Sequence, residues 1–176
     1  MEQDILHRIW QAKSGDKEAL IQLIMSQKED YYRLAYVYMK DQEDALDAMS
    51  DMIVKVFENI KSLKTEEAFF SWSKTILVNC CKQHLRKKHR VILLQELPEE
   101  SYEESYSEHE EQLAFEAHLE KLNVKYQEVL RLRFALDMDY ATIAKVIKIP
   151  IGTVKSRIYA GLQKLQKSME VDGNGL

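Results

Sequence analysis

The side chains best suited to bind a ligand lie in residues 140–165, YATIAKVIKIPIGTVKSRIYAGLQKL. Their pattern predicts two short helices joined by a tight turn, with Ala144 at the helix crossing and Ile149-Pro150 ending the turn. One apolar stripe of the second helix would be buried: Ile151, Val154, Ile158, Leu162 and Leu165. Its outer face carries small or uncharged residues flanked by cations: Gly152, Thr153, Ser156, Ala160 and Gln163, beside Lys155, Arg157 and Lys164. Such a face favours a helix in the DNA major groove, with side chains on base edges and cations on phosphates. The alternative is an ordinary helical hairpin with a solvated basic face.

Charge is distributed unevenly along this chain of 176 residues, whose formal net charge is −4. Two windows, residues 80–90 and 141–169, contain no Asp or Glu. They hold 11 of the 25 Lys and Arg residues, which leaves 14 cations against 29 carboxylates, or −15, in the rest of the chain. Two separate cationic patches on an acidic protein indicate a long polyanionic ligand.

The first acid-free window ends a predicted helix that begins at Phe69. Its polar and basic side chains are spaced along one face: Thr75, Asn79, Lys82 and Arg86, followed by Lys87, Lys88 and Arg90. Aromatic residues lie at its start: Phe69, Phe70 and Trp72. Cations, an amide and aromatic rings are the groups that bind single-stranded DNA. Alternatively, Phe69 and Trp72 are simply core residues.

The elements that carry these residues are predicted to be helices throughout. With only 5 Gly and 2 Pro, and with long apolar periodicities, the chain is expected to be all-α. The clearest amphipathic run covers residues 44–60, with one apolar face: Ala45, Met49, Met52, Ile53, Val56, Phe57 and Ile60. A second covers residues 69–86 and would bury Phe69, Trp72, Ser73, Ile76 and Cys80. We predict two small helical domains, residues 1–90 and 112–176, the second with about four helices that include a helix-turn-helix. The glutamate-rich residues 91–111 would be a flexible acidic linker.

Several function classes are disfavoured by the sequence. The charged N-terminus lacks the apolar segment of a signal peptide, and no apolar run is long enough to span a bilayer, so a cytoplasmic protein is expected. No phosphate-binding loop, nucleophile elbow or paired carboxylates occur in a recognisable frame, so we expect no enzyme, catalytic residue, cofactor or small-molecule substrate.

Cysteine and histidine lie close together near residue 80. Cys80 and His84 are four residues apart, with Cys81 and His89 nearby. This spacing matches no structural zinc motif, so no metal is expected, although a shared zinc or a redox pair of adjacent cysteines stays open.

Five segments, in order, resemble sigma factors of the extracytoplasmic-function (ECF) group, the minimal promoter-recognition subunits of bacterial RNA polymerase. They are GDKEAL at 15–20, DALD at 44–47, FFSWSKTILVNCCKQHLRKKHR at 69–90, YQEVLRLRF at 126–134 and IPIGTVKSRIYAGLQKL at 149–165. The resemblance implies an alternative sigma factor that binds core RNA polymerase and directs it to one promoter class.

The resemblance also implies roles for individual residues. Those expected to dock on the β′ clamp of the polymerase are Asp44, Asp47, Ser50 and Asp51. Those expected to melt and bind the −10 element, together with the loop from about residue 64 to 70, are Phe70, Asn79, Lys82, Gln83, Arg86 and Lys87. Those expected to face the −35 element are Thr153, Lys155, Ser156, Arg157, Tyr159 and Lys164. Further partners that the resemblance implies are the β flap, promoter DNA and an anti-sigma factor, either membrane-bound or not.

The chain departs from the family pattern at four places. Ser50-Asp51 stands where Gln-Glu is usual, Gln83 where Asp is usual, Asn123 where Pro is common and Lys148 where Gly is usual. A left-handed backbone at Lys148 would cost on the order of 1 kcal/mol. Two alternatives to the sigma factor remain: a DNA-binding regulator of the same build that does not dock on polymerase, and a helical module that binds another protein.

Overall fold

The computed structural model describes residues 2–94 and 115–173, which divide into two compact units: residues 2–94 with residues 145–148, and residues 115–144 with residues 149–173. The first unit contains α1 (Glu2–Lys13), α2 (Lys17–Met25), α3 (Lys28–Met39), α4 (Gln42–Asn59) and α5 (Phe69–Leu94), with 3₁₀ turns at Ile60–Ser62 and Glu66–Ala68. The second contains α6 (residues 115–120), α7 (Val124–Leu130), α8 (Tyr140–Ile147) as far as Ala144, and α9 (Ile151–Gly173). No strand occurs among these residues, so the all-α prediction is confirmed.

Short polar side chains fix where several helices begin. Asp16 accepts hydrogen bonds from the amides of Glu18 and Ala19, and Asp41 accepts one from the amide of Asp44. Each thereby satisfies donors that have no partner within the first helical turn. Asn123, which replaces the common Pro, does the same for α7 by accepting from the Lys125 amide at 3.1 Å.

The core of the first unit lies between α3, α4 and α5. It is formed mainly by Leu34, Ala35, Ala45, Ala48, Met52, Val56, Leu77 and Cys81, all buried. Ser73 is also buried, as predicted, and its hydroxyl lies 2.7 Å from the hydroxyl of Tyr31 while donating to the Phe69 carbonyl. A buried hydroxyl is tolerated when it is hydrogen-bonded in this way.

Some predicted core residues of the first unit lie at its surface. Phe57 is 39% exposed, with the Lys17 ammonium 5.2 Å from its ring centroid, because it lies at the edge of the apolar stripe of α4. Ile53, Trp72 and Ile76 are only partly buried. The predicted core was therefore too broad at these four residues, because the apolar face of each helix is wider than the part that the neighbouring helices cover.

The second unit packs α7 closely against α9. Gly161 is buried there, beside Leu130 and Tyr126, and Leu119, Val129, Leu132 and Ile143 are buried around them. α7 continues into a π-helical turn, Arg131–Ala135. Four helices are present in the described part of this unit, as expected, but α9 has 23 residues and is not short.

The predicted linker falls largely outside the described residues. α5 continues to Leu94, four residues past the predicted domain end at 90. Residues 95–111 lie outside the described part of the chain, as do the side chains of His89 and Arg90.

Candidate nucleic-acid interface

The turn between α8 and α9 sets the direction of the predicted DNA-reading helix. Lys148 adopts a left-handed conformation (φ 56°), as expected for a position where glycine is usual. The Ile149 amide donates to the Ala144 carbonyl and closes α8, and the Pro150 carbonyl accepts from the amides of Thr153 and Val154. Both helix ends at the turn thus have hydrogen-bonded backbone groups, and the start of α9 is well defined.

The inner face of α9 is narrower than the predicted apolar stripe. Val154, Ile158 and Leu165 are buried, as predicted, but Ile151 and Leu162 are 46% and 42% exposed. The missed member is Gly161, which lies against α7 because it has no side chain. Its small size was a signal in the sequence that could have identified the contact.

The outer face of α9 carries the residues predicted to face the −35 element. Lys155, Ser156 and Lys164 are exposed, Tyr159 is 66% exposed, and Thr153 and Arg157 are partly exposed. The Tyr159 hydroxyl accepts a hydrogen bond from Gln163 at 2.8 Å, which holds the ring along the helix. Lys155 and Arg157 form no ion pair within the described residues, so their charges are available to an external anion.

The exposed face of α5 brings together most of the predicted −10 residues. Asn79, Gln83, Arg86 and Lys87 are exposed and Lys82 is half-buried, with helical spacing that puts them on one side. Gln83 already accepts a hydrogen bond from Lys55 of α4 at 2.9 Å. Compared with the usual Asp, Gln83 removes a negative charge from this face and still supplies an acceptor for Lys55.

Phe70 is not close to the other −10 residues. It lies at the start of α5, about 13 Å along the helix axis from Asn79. Its ring packs edge-on against buried Phe69, with centroids 5.3 Å apart. Thr75, predicted on the polar stripe, is buried and its hydroxyl donates to the Ser71 carbonyl. The exposed stripe therefore begins at Asn79.

The predicted docking residues lie on α4, and two of them are bonded to α5. Asp44 accepts a hydrogen bond from Lys88 at 2.7 Å, which raises the pKa of that lysine, and the Asp51 carboxylate lies 2.7 Å from His84 Nε2. Asp47 and Ser50 are exposed, the latter donating to the Leu46 carbonyl.

The outer face of α4 also carries apolar side chains that the sequence analysis did not predict to be exposed. Leu46, Val54 and Phe57 are exposed beside the carboxylates. Leu46 and Val54 are eight residues apart, so they lie on the same side of the helix, next to the buried stripe. Apolar groups among acids form a surface suited to a basic protein partner.

The cysteines are buried and do not form a metal cluster with the described residues. Burial raises the pKa of the Cys80 thiol, and it raises that of Cys81 to about 12. His84 is bonded to Asp51, and no group of three or more metal-ligating residues occurs in the described ranges. Thiols with raised pKa values are poor nucleophiles.

Comparisons with known proteins agree with this arrangement. Residues 23–91 match the family model for sigma-70 region 2, and residues 112–165 match that for sigma-70 region 4. The chain is 29% identical over 154 residues to RNA polymerase sigma factor SigV of Bacillus subtilis, covering 88% of this chain and 93% of that protein. It is 26% identical over 188 residues to ECF RNA polymerase sigma factor SigW of the same organism, covering 96% and 98%.

Solved structures share the fold. CnrH, in complex with the cytosolic domain of CnrY, superposes with a TM-score of 0.70 at 20% identity, covering 96% of this chain and 99% of that one. RpoE of Bartonella quintana, in complex with the anti-sigma factor NepR, gives 0.65 at 23% identity, covering 86% and 96%. Among the described helices none is long and apolar enough to cross a membrane. With both sigma-70 regions present in order over most of its length, the chain belongs to the sigma-70 family, as an ECF sigma factor that directs RNA polymerase to promoters.

Proposed function

We propose that this sigma factor binds its promoter at two places and core polymerase through α4. α9 enters the major groove of the −35 element, the exposed face of α5 and the loop before it bind the −10 element as a single strand, and the outer face of α4 docks on the β′ clamp. The observation that carries the proposal is the pair of exposed cationic faces on α5 and α9 within a net acidic chain.

The chemistry of α9 supports reading of duplex DNA. Ser156 and Gln163 offer hydrogen-bonding groups to base edges, and Tyr159 offers a ring for apolar contact. Lys155 lies on one side of this face and Arg157 on the other, where phosphates line the groove. The polar centre thus contributes specificity and the cations contribute affinity.

The chemistry of α5 supports binding of an unpaired strand. Asn79 is exposed, so its side-chain amide is available to a base. Arg86 and Lys87 form no ion pair within the described residues and both lie about two helical turns further along α5. The loop adds exposed Lys61 and Lys64. Cations beside a hydrogen-bonding amide favour binding of single-stranded DNA, in which the cations contact the phosphate backbone and the amide binds one unstacked base.

The surface of α4 supports docking on a partner with basic and apolar groups. Asp47 and Asp51 supply negative charge, and Val54 and Phe57 supply apolar area at the same face. In the second unit, Phe134 and Val124 are exposed, which supports a further contact with the β flap. An anti-sigma factor that covers these surfaces, membrane-bound or not, is the expected regulator.

Run-off transcription with purified core polymerase tests the proposal. Lys155→Ala combined with Ser156→Ala should lower promoter affinity about tenfold or more, because it removes the base contact of Ser156, which contributes ~1–3 kcal/mol, together with the phosphate contact of Lys155. Core binding should stay intact. Lys167→Ala is the matched control, since it removes the same charge about 18 Å further along α9.

Two results would contradict the proposal. A wild-type protein that binds promoter DNA but neither co-elutes with core nor gives a promoter-dependent transcript would instead be a regulator that does not dock on polymerase. Loss of core binding in the α9 variant would contradict the separation of the DNA-reading and docking surfaces.

A further inference from the structure

The loop between α4 and α5 is held at its ends and exposed at its tip. Ile60 and Leu63 are buried on one side, and Phe69 is buried on the other. Between them Lys64 and Thr65 are exposed. The loop contains two single 3₁₀ turns, which have few internal hydrogen bonds, so its shape depends on contacts with other elements.

Lys13, the last residue of α1, supplies such a contact. Its ammonium donates to the Leu63 carbonyl at 3.1 Å and to Glu66 Oε1 at 2.8 Å. The side chains of Lys13 and Glu66 are 25% and 35% exposed, so the pair is only partly screened by water. The hydrogen bond from Lys13 lowers the pKa of Glu66.

The two acceptors lie on either side of the exposed tip. Leu63 immediately precedes Lys64, and Glu66 immediately follows Thr65. One ammonium therefore fixes both ends of the segment that the DNA would meet. Ordering a loop residue costs about 1–2 kcal/mol of conformational entropy, and a loop ordered in advance does not lose it on binding.

We propose that Lys13 is a positioning residue for −10 recognition: by bridging Leu63 and Glu66 it holds the loop tip in the conformation that receives the unpaired strand. This inference rests on the proposed role of the loop and α5. It assigns a function in DNA binding to α1, although Lys13 acts through the loop and makes no contact with DNA.

The test uses full-length protein assembled with core polymerase, and a single-stranded oligonucleotide of the −10 non-template strand from a promoter that the wild type transcribes. Lys13→Met keeps the apolar stem and removes the charge. It should weaken oligonucleotide binding about tenfold, since hydrogen bonds to charged groups are among the stronger ones. Glu66→Gln, at a surface loop, should weaken it about threefold. Lys28→Met, which removes an exposed lysine at the start of α3, should change nothing.

Three controls separate positioning from other roles. Core affinity should be unchanged in every variant, and the double variant should bind no worse than Lys13→Met, because both changes break one bridge. The salt dependence should also keep its slope. A slope reduced by about 0.7 would mean that Lys13 contacts a phosphate directly, and would overturn the inference.

The remaining outcomes are distinguishable. Wild-type affinity in both Lys13→Met and Glu66→Gln would overturn the positioning role and leave the proposed function intact. Failure of the wild-type holoenzyme itself to bind the −10 strand would overturn the proposed function, and this inference with it.

Discussion

Gly152 and Gly161 of α9 make a matched pair for testing how the position of this helix is set. A Cβ built on Gly152 meets no atom within 4 Å, whereas one built on Gly161 lies 3.0 Å from Leu130 Cδ1 and 3.3 Å from Tyr126 Cβ. The same substitution to alanine should therefore have opposite effects at the two sites.

The magnitudes follow from two competing terms. Alanine gains up to about 1 kcal/mol over glycine within a helix, and somewhat less near the helix start, so Gly152→Ala should stabilise the second unit by about 0.5 kcal/mol. At Gly161 the gain is opposed by overpacking, which costs about 1–3 kcal/mol. The Leu130 tip can rotate away, but Tyr126 Cβ is attached to the backbone of α7, so α7 and α9 must separate. The net effect should be a loss of about 1 kcal/mol.

Hydrogen exchange of the α7 and α9 amides in the full-length protein measures this difference. Tryptophan fluorescence is unsuitable, because Trp10 and Trp72 both lie in the first unit. Exchange should accelerate about fivefold in Gly161→Ala and slow in Gly152→Ala. If Gly161→Ala slows exchange as much as Gly152→Ala does, the contact between α7 and α9 is not as tight as the structure indicates.

Three further predictions concern strained or titrating groups. Lys148→Gly should slow hydrogen exchange of the α8 amides, because glycine relieves about 1 kcal/mol of strain in the left-handed backbone at this position. Lys148→Ala should not slow it, and equal effects of the two substitutions would exclude backbone strain as the cause. Burial raises the pKa of Tyr31 from 10.0 to about 12, so its contribution to stability is complete below pH 10 and is lost as pH rises toward 12. Alkaline titration followed by tryptophan fluorescence should show this loss in the wild type and a smaller one in Tyr31→Phe. Hydrogen bonds from Thr142 lower the pKa of Asp139, which caps the start of α8. The stabilisation by this cap is therefore complete above the ordinary carboxyl pKa of 3.8 and is lost as pH falls through the lowered pKa. Asp139→Ala should lower the melting temperature at pH 7 and remove this dependence on acid.

The spacing of residues in the sequence predicted those features that depend on one helix alone. The spacing of Val154, Ile158 and Leu165 was enough to predict a buried face, because helical periodicity alone puts them on one side. The left-handed backbone at Lys148 was expected for a different reason, because the family that the chain resembles usually has Gly at this position. Phe57 was wrongly predicted to be buried. Its exposure depends on how much of α4 is covered by α2, and the spacing of residues within α4 carries no information about that coverage.

The contacts between α4 and α5 could not be predicted for the same reason, and they change how the two surfaces must be tested. Lys88 bonds Asp44 and His84 bonds Asp51, across 44 and 33 residues of sequence. Exposed pairs of this kind contribute only about 0.2–1 kcal/mol each, so their removal should not unfold the protein. Each pair nevertheless joins a predicted docking carboxylate to the helix predicted to bind the −10 strand. Removing Asp44 frees the Lys88 ammonium for a phosphate, so a variant made to weaken polymerase docking can also strengthen DNA binding. Docking variants therefore require a DNA-binding measurement, and Asp47, which has no bond to α5 within the described residues, is the site where docking can be changed alone.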